Sequence, residues 1–153
     1  MITYRTAGAA DAGVLRRFLQ ALADHDGGGA VGSEASLRLH GFGPNPLFRA
    51  HLAERDGAPV GMVLFYPDYS TQRGEPGVYV QDIYVADDCR GMGLGRGLLA
   101  EAHKAAAAWG AGYMTLGVGP QNLGARRFYA GLGFRPRGYE FLILDGAELE
   151  ALR

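Results

Sequence analysis

A run of glycines and arginines near the middle of the chain is the segment best suited to bind a phosphate group. Residues 90–96 read Arg-Gly-Met-Gly-Leu-Gly-Arg and lie between a predicted strand and a predicted helix. Glycine lets the backbone turn tightly and approach a ligand without a Cβ in the way. The first N–H groups of a helix lack partners and carry the positive end of its dipole. The segment therefore predicts a pyrophosphate cradle, with Arg90 and Arg96 as additional donors.

The sequence of this turn is compatible with two other interpretations. A glycine turn that only packs tightly is the simpler one, because short glycine patterns are common. A dinucleotide-binding fold is the other, and it needs Gly-x-Gly-x-x-Gly after an early strand with an acid about 20 residues later. Here the glycines alternate in mid-sequence, and residues 110–115 contain no acid. Dinucleotide redox chemistry is therefore not expected.

Two side chains elsewhere could move protons. Tyr129 lies on the predicted inward face of a helix that Asn122 can cap. A phenol has a reference pKa of about 10, so it is protonated at neutral pH and can act as a general acid. The alternative is a packed aromatic side chain. Asp82 follows Gln81 within an otherwise apolar strand, where a carboxylate could bind a cation or accept a proton.

Hydrophobic spacing predicts the elements that must position these residues. In chain order they are a strand at 2–5, a helix from Asp11 to the glycines at 27–29, a helix from Ser33 to about Gly41, strands at 47–55 and 59–66 joined by a turn at Asp56-Gly57, a polar loop at 67–77, a strand at 78–85, a helix at 94–109, a strand at 112–118, a helix from Asn122 with Ala125, Phe128 and Tyr129 inward, and last strands at Phe134 and 139–144. This order indicates a mixed α/β domain.

Two motifs, taken together, resemble those of the GNAT superfamily of N-acetyltransferases. They are Arg90-x-x-Gly93-x-Gly95 after the strand Ile-Tyr-Val, and Asn122 followed by Arg127-Phe128-Tyr129 and Gly131-Leu132-Gly133-Phe134. The predicted element order is also similar from residue 2 to about 145. Three segments, HGFGPNPLF, YPDYSTQRGEPG and VYVQDIYV, resemble the diamine branch of the superfamily, whose members acetylate spermidine, spermine or thialysine.

This resemblance implies an α/β fold with a mixed, mostly antiparallel central sheet, a splayed strand pair and flanking helices, in one domain over residues 1–153. It implies transfer of an acetyl group from acetyl-CoA to the primary amine of a small cationic acceptor such as a diamine, polyamine or lysine-like amine. Tyr129 would be the general acid, and Asp82 would assist removal of the amine proton. Acetyl-CoA would contact Ile83, Tyr84, Val85, Arg90, Gly91, Met92, Gly93, Leu94, Gly95, Arg96, Thr115, Leu116, Gly117, Asn122, Leu123, Gly124 and Ala125. The amine would contact Gln81, Asp82, His25 and Glu75.

The sequence departs from the diamine branch at Gln81, where the branch carries the glutamate of a Glu-Asp pair. Gln81 cannot accept a proton as a carboxylate would, so Asp82 acting through water, or Glu75 or Asp68, would have to do so. With one negative charge fewer, we expect short diamines or lysine-like amines to be preferred over spermine. Two alternatives remain open: an acceptor such as a protein N-terminus, an amino acid or an aminoglycoside, and an acyl-CoA-binding module without turnover.

Composition argues against several other classes of protein. The 153 residues carry a formal net charge of -1, so no basic surplus attracts nucleic acid or an anionic membrane. One cysteine, Cys89, cannot form an internal disulfide, and the four histidines lack metal-ligand spacing. No run approaches the ~18 apolar residues of a membrane span, and the N-terminus lacks a signal-peptide pattern. We expect a cytoplasmic, metal-free homodimer.

Overall fold

The computed structural model describes all residues, Met1–Arg153, which form two compact units, Met1–Gly117 and Val118–Arg153. The first unit contains β1 Ile2–Thr6, α1 Ala12–His25, α2 Glu34–Phe42, β2 Arg49–Arg55, β3 Ala58–Ser70, β4 Glu75–Val85, α3 Leu94–Ala106 and β5 Met114–Leu116. The second unit contains α4 Leu123–Leu132 and α5 Gly146–Glu150. The strands form one sheet in the order β1-β2-β3-β4-β5, antiparallel except for the parallel pair β4 and β5. The predicted mixed, mostly antiparallel sheet is confirmed.

Turn and cap residues account for several of the predicted boundaries. Asp56 and Gly57 join β2 to β3 with φ angles of 51° and 83°, values that suit a two-residue hairpin turn. The Ser33 hydroxyl accepts a hydrogen bond from the backbone N–H of Ser36 at 3.1 Å and caps α2. Asn122 caps α4 in the same way, because its Oδ1 accepts from the Ala125 N–H at 3.2 Å. These signals are local, so the sequence reports them directly.

The side chain of Asp11, the N-cap residue of α1, makes no capping hydrogen bond to the helix. Its carboxylate accepts instead from the Gly8 N–H at 2.8 Å and from the Arg5 guanidinium at 2.8 and 2.9 Å. These bonds close a short 3-10 turn at Ala9–Asp11 that precedes the helix, and Asp11 makes no side-chain cap bond to α1. The prediction missed the 3-10 turn because an acid can serve either arrangement.

The predicted polar loop at 67–77 is wrong. β3 runs on to Ser70 and β4 starts at Glu75, so the chain reverses within 71–74. Beyond the Arg49–Phe65 pair, β2 has ended and β3 has only β4 as a neighbour. Proline is tolerated on such an edge, where one side of the strand needs no N–H donor. The proline and glycine residues therefore lie within a long hairpin and do not end it.

The predicted last strands at Phe134 and 139–144 are also wrong. No strand follows β5, and the short helix α5 was not predicted. Phe141, Leu142 and Ile143 are 78, 90 and 86% exposed, and Phe128 is 39% exposed where an inward position was expected. Strand propensity alone does not make a strand, because a ladder needs a partner with matching register.

The two faces of the sheet are covered by different helices. Leu15 and Phe18 of α1 pack with Leu52, Met62 and other apolar side chains on one face. The helix α3 packs on the opposite face through an apolar stripe of buried residues, Leu94, Leu98, Leu99, Ala102 and Ala106. Burial of this kind contributes about 25 cal/mol per Å² of apolar surface. No helix has the length and apolar character needed to cross a membrane.

A buried histidine lies between the sheet and α3. His51 on β2 has a side-chain exposure of 12%, and its Nδ1 has no hydrogen-bond partner. The nearest carboxylate oxygen, Glu101 Oε2, is 3.8 Å away. Burial lowers the pKa of His51, and this effect outweighs the Glu101 carboxylate, which raises it. The folded chain therefore resists protonation of His51 more than the unfolded chain does.

We predict that His51 makes stability depend on pH. The free energy of unfolding should fall as the pH drops from about 7 to 5, because the unfolded chain takes up a proton near its ordinary pKa of about 6.5 while the folded chain does not. Urea denaturation of wild type and of His51→Gln at several pH values tests this. The variant should give a flatter curve, whereas His103→Gln, at an exposed position on α3, should keep the wild-type slope. Equal slopes for wild type and His51→Gln would exclude the effect.

Candidate active site

The glycine turn ends in a left-handed residue that opens directly into α3. Gly91 and Gly93 have φ angles of 80° and 81°, and no atom lies within 4 Å of where a Cβ would be on either. Gly93 is the N-cap of α3, so the unpartnered amides of the first helical turn follow it at once. Arg90 is exposed and its guanidinium pairs with Asp87 at 3.1 Å. The predicted cradle therefore has the open space and the amide donors that an anion requires.

The second half of β4 has a partner strand on one side only. Residues 82–85 pair with β3, whereas β5 pairs with β4 only at Val78, Tyr79 and Val80. This is the splayed strand pair that was predicted. The backbone of residues 83–85 is therefore open on the β5 side, where an extended ligand could bond to it as a further strand would. The end of β5, Thr115 to Gly117, lies where the two strands part.

The direction of one peptide group at this edge follows from Gly61. The Tyr84 carbonyl oxygen is 2.7 Å from the point where a Cβ on Gly61 would lie, so that carbonyl points toward β3. In a trans peptide the C=O and the following N–H point in opposite directions, and the chain contains no cis peptide bond. The N–H of Val85 therefore faces the open edge. The carbonyl of Val85 accepts a long bond from Arg90 Nε at 3.5 Å.

A β-bulge brings two neighbouring polar side chains to the same face of β4. Asp82 pairs with Leu64 and Val80 pairs with Phe65, which leaves Gln81 as an extra residue. The side chain of Gln81 lies on the α1 face, because its Oε1 accepts a hydrogen bond from the Tyr66 hydroxyl at 2.8 Å. Asp82 shares that face through its pairing with Leu64. In a regular strand, neighbouring side chains lie on opposite faces, whereas the bulge places these two on the same face.

Asp82 lies in a partly buried, negatively charged environment. Burial raises the pKa of Asp82, and the negative charge of Asp26 raises it further. Asp26 is the C-cap of α1, and its Oδ1 lies 3.3 Å from Nδ1 of His25. The predicted site residue His25 contacts Asp26, whose charge acts on Asp82, and Asp26 was not among the predicted site residues. The sequence signal for Asp26 was its position as an acidic residue between the end of the first predicted helix and three consecutive glycines.

Glu75, also predicted for the amine site, is not brought to this place. It starts β4, seven residues before Asp82, which corresponds to about 23 Å along a strand. Its carboxylate pairs with Arg73 at 2.8 Å. Asp68 accepts a hydrogen bond from the Tyr113 hydroxyl at 2.6 Å. Both acids serve the far end of the β3–β4 hairpin.

The remaining predicted residues lie in the second unit. Leu123, Gly124 and Ala125 form the first turn of α4, which Asn122 caps. Tyr129 is partly exposed on the same helix, with its ring centroid 5.5 Å from that of Phe134 and 5.4 Å from that of Phe128. Gly133 ends the helix with a φ of 103°. Nowhere in the chain do three or more His, Cys, Asp or Glu side chains come together as a metal site.

Comparison with known proteins identifies the family of this chain. The acetyltransferase (GNAT) family profile matches residues 17–134. A thialysine N-epsilon-acetyltransferase from Bos taurus is 32% identical over 142 residues, 86% of this chain and 83% of the relative. The chain belongs to the acetyltransferase (GNAT) family. It is therefore an acetyltransferase, which disfavours a binding module without turnover.

Solved structures agree with this fold. An integron cassette protein from V. cholerae superimposes with a TM-score of 0.80 at 18% identity, over 99% of this chain and 96% of that one. An aminoglycoside N-acetyltransferase solved in complex with CoA superimposes with a TM-score of 0.77 at 17% identity, over 95% of both chains. At these identities the likeness establishes the fold and leaves the acceptor open.

We predict that removing the charge of Asp26 lowers the pKa of Asp82. Asp26→Asn deletes the negative charge that disfavours ionisation of Asp82, so the carboxyl should titrate at lower pH. Carbon-13 NMR titration of the aspartate carboxyls measures this. Asp24→Asn, an exposed change one half-turn earlier on α1, is the matched control and should leave Asp82 unaltered. An unchanged pKa of Asp82 in Asp26→Asn would show that the Asp26 charge does not act on Asp82.

Proposed function

We propose that this acetyltransferase moves an acetyl group from acetyl-CoA to the primary amine of a small cationic acceptor, either a short diamine or a lysine-like amine. The observation that carries the proposal is the open edge of β4 beside the glycine turn, with Asp82 on the α1 face of the same strand segment. One ligand could lie along the edge while a second reaches it from the face. Transfer of an acetyl group needs separate binding places for the donor and the acceptor.

Acetyl-CoA fits the open edge and the turn together. Its pantetheine arm carries amides that can bond to the backbone of residues 83–85, and its pyrophosphate suits the amides of 91–96 and the first turn of α3. Arg90 and Arg96 would add charge-assisted bonds. Thr115, Leu116 and Gly117 would flank the arm where β5 diverges. Residues Asn122, Leu123, Gly124 and Ala125 complete the proposed contact set.

The amine would bind on the α1 face at Asp82 and Asp26. Two carboxylates favour a cation, and an ammonium about 4 Å from one of them gains about 4 kcal/mol at an effective dielectric of 20, before desolvation. The raised pKa of Asp82 makes it a better proton acceptor than an ordinary aspartate. Asp26 thus supplies the second acid that Gln81 does not. His25 would act through its contact with Asp26.

Direct attack accounts for the reaction with groups that the chain provides. Asp82, directly or through water, takes a proton from the ammonium, and the neutral nitrogen attacks the thioester carbonyl carbon. The N–H of Val85 faces the edge where the carbonyl oxygen would gain negative charge, and such a donor stabilises the transition state. The carbon–sulfur bond then breaks, and the thiolate takes a proton from Tyr129. The former amine nitrogen gives up its second proton through water, which restores the Tyr129 hydroxyl. The amide and free CoA are the products.

A homodimer fits the proposed enzyme. Phe141, Leu142 and Ile143 expose neighbouring apolar side chains, which a partner copy would remove from water. The lone cysteine, Cys89, is buried and is suited to the reducing conditions of the cytoplasm. Sedimentation at several concentrations tests the assembly.

An amine screen tests the proposed function. Purified protein, acetyl-CoA and a panel of diamines, lysine analogues, spermine, aminoglycosides and an uncharged amine are followed by free thiol release. A cationic small amine should be the best acceptor, because the face carries two carboxylates. A clear preference for the uncharged amine or for an aminoglycoside would reject the proposed acceptor.

We predict that Gly93→Val weakens CoA binding by at least about tenfold, which is 1.4 kcal/mol. The valine side chain would occupy the open space of the cradle, and its backbone would resist the positive φ. Calorimetric titration with CoA measures the affinity. Gly74→Val is the matched control, because Gly74 has a φ of 66° and equally open surroundings in the distant β3–β4 turn. Equal affinities in the two folded variants would remove the cradle from the proposal.

We predict that Tyr129→Phe lowers kcat by about 10²–10⁴-fold, the usual contribution of general acid catalysis. CoA affinity should stay at the wild-type value, because one hydroxyl adds little to binding at this position. Single-turnover kinetics across pH separates chemistry from product release. Tyr139→Phe removes the hydroxyl of an exposed tyrosine and should keep full activity. Near-normal turnover in Tyr129→Phe would make Tyr129 a structural residue.

A further inference from the structure

We infer that Asp87 and Arg90 form a strap at the open edge of β4, which the pyrophosphate of acetyl-CoA must draw aside before the pantetheine arm can bind fully. The inference rests on the proposed function, because it concerns how acetyl-CoA enters its proposed site. It identifies Asp87, which is outside the predicted contact set, as a residue that determines which acyl donors can bind.

The side chain of Arg90 folds back onto the end of β4. Its Nε donates a long hydrogen bond to the Val85 carbonyl oxygen at 3.5 Å, and its Nη2 lies 3.1 Å from Oδ1 of Asp87. Asp87 begins the 3-10 turn Asp87–Cys89, which directly precedes Arg90. The backbone N–H of Arg90 also donates to the Asp87 carbonyl oxygen at 3.4 Å. One guanidinium therefore connects the end of the strand to the turn.

The Val85 carbonyl lies on the open side of the strand. The Ala86 N–H donates to the Val60 carbonyl oxygen of β3 at 2.8 Å, so the backbone of Ala86 faces β3. In an antiparallel pair, successive residues turn their N–H and C=O groups to opposite sides. Both groups of Val85 therefore face the side that β5 leaves unpaired. Arg90 occupies the carbonyl that an amide N–H of the pantetheine arm would use.

Acetyl-CoA carries a replacement for each contact of the strap. Its pyrophosphate has more negative charge than the Asp87 carboxylate and can accept bidentate hydrogen bonds from a guanidinium. When Arg90 turns to the pyrophosphate, the Val85 carbonyl becomes free to accept from the arm. Each half of the ligand therefore favours binding of the other half, and the coupling acts through one side chain.

A thioester that has the arm but no phosphate lacks this coupling. It must displace Arg90 from Val85 without offering the guanidinium a new partner. The side chains of Asp87 and Arg90 are 89 and 53% exposed, and an exposed ion pair changes an equilibrium by about two- to fivefold. The strap therefore disfavours short thioesters by a modest factor and opens readily for acetyl-CoA.

Two fragments of CoA test the coupling. Pantetheine carries the arm without phosphate, and adenosine 3′-phosphate 5′-diphosphate (3′-phospho-ADP) carries the phosphates without the arm. Nitrogen-15 NMR of the Val85 amide gives the Kd of pantetheine with and without saturating 3′-phospho-ADP. We expect 3′-phospho-ADP to tighten pantetheine binding by about two- to fivefold. Without the strap, the two fragments would bind independently or would compete where they meet.

Variants of the strap separate its role from simple phosphate binding. Arg90→Ala should tighten pantetheine binding and abolish the effect of 3′-phospho-ADP on it, while CoA affinity falls because the pyrophosphate loses a donor. Asp87→Asn should tighten binding of CoA and of pantetheine, because Arg90 then keeps only its bond to Val85. Asp88→Asn is the matched control. It removes the neighbouring exposed carboxylate, which pairs with Arg55 at 3.0 Å, and should keep the wild-type coupling.

Three results would overturn the inference while leaving CoA binding intact. They are equal pantetheine affinity with and without 3′-phospho-ADP, unchanged coupling in folded Arg90→Ala, and weaker binding of both fragments in that variant. The last result would make Arg90 a structural residue of the turn. If neither fragment shifts the amides of residues 83–96 and CoA does not bind, the proposed site for acetyl-CoA is refuted and the inference with it.

Discussion

The end of pairing between β4 and β5 is the constraint on which the rest of this structure depends. Backbone N–H and C=O groups that lack a partner are costly when buried, so a strand normally pairs on both sides inside a sheet. Here β5 leaves β4 after Val80, and residues 83–85 keep β3 as their only partner strand. A substrate with amides of its own can take the vacated side. The unpaired edge thus costs some sheet stability, and in the proposed function it is where the extended arm of acetyl-CoA would bind.

The elements around that edge keep it in one geometry. Gly61 has no Cβ, which lets the Tyr84 carbonyl lie against β3 and so turns the Val85 N–H outward. The helix α3 packs its buried leucines on the face of the sheet opposite α1. It starts directly after Gly93, which has a left-handed conformation, so the unpartnered N–H groups of its first turn lie beside the end of β4. Rigid packing of this kind positions donors before any ligand arrives, which is the condition for electrostatic stabilisation to lower a barrier.

Charge is distributed unevenly between the two faces of the sheet. On the α1 face, burial raises the pKa of Asp82 and the negative charge of Asp26, at the end of α1, raises it further, while Gln81 is neutral and accepts a hydrogen bond from Tyr66. On the α3 face, the packed layer includes His51, opposite Glu101. In the proposed function, the carboxylates of Asp82 and Asp26 would attract a cationic amine to the α1 face.

The sequence by itself determined the glycine turn, the caps at Ser33 and Asn122, the hairpin at Asp56-Gly57 and the family to which the chain belongs. Each of these depends on residues within a few positions of one another, where backbone conformation and side-chain chemistry are decided locally. The tertiary structure alone decided that Gln81 and Asp82 share a face, that Asp26 joins them, that Glu75 does not, and that residues 139–144 form no strand. Those outcomes depend on register and on which strand finds a partner, and a one-residue bulge reverses the face of a side chain without leaving a signal in the local sequence.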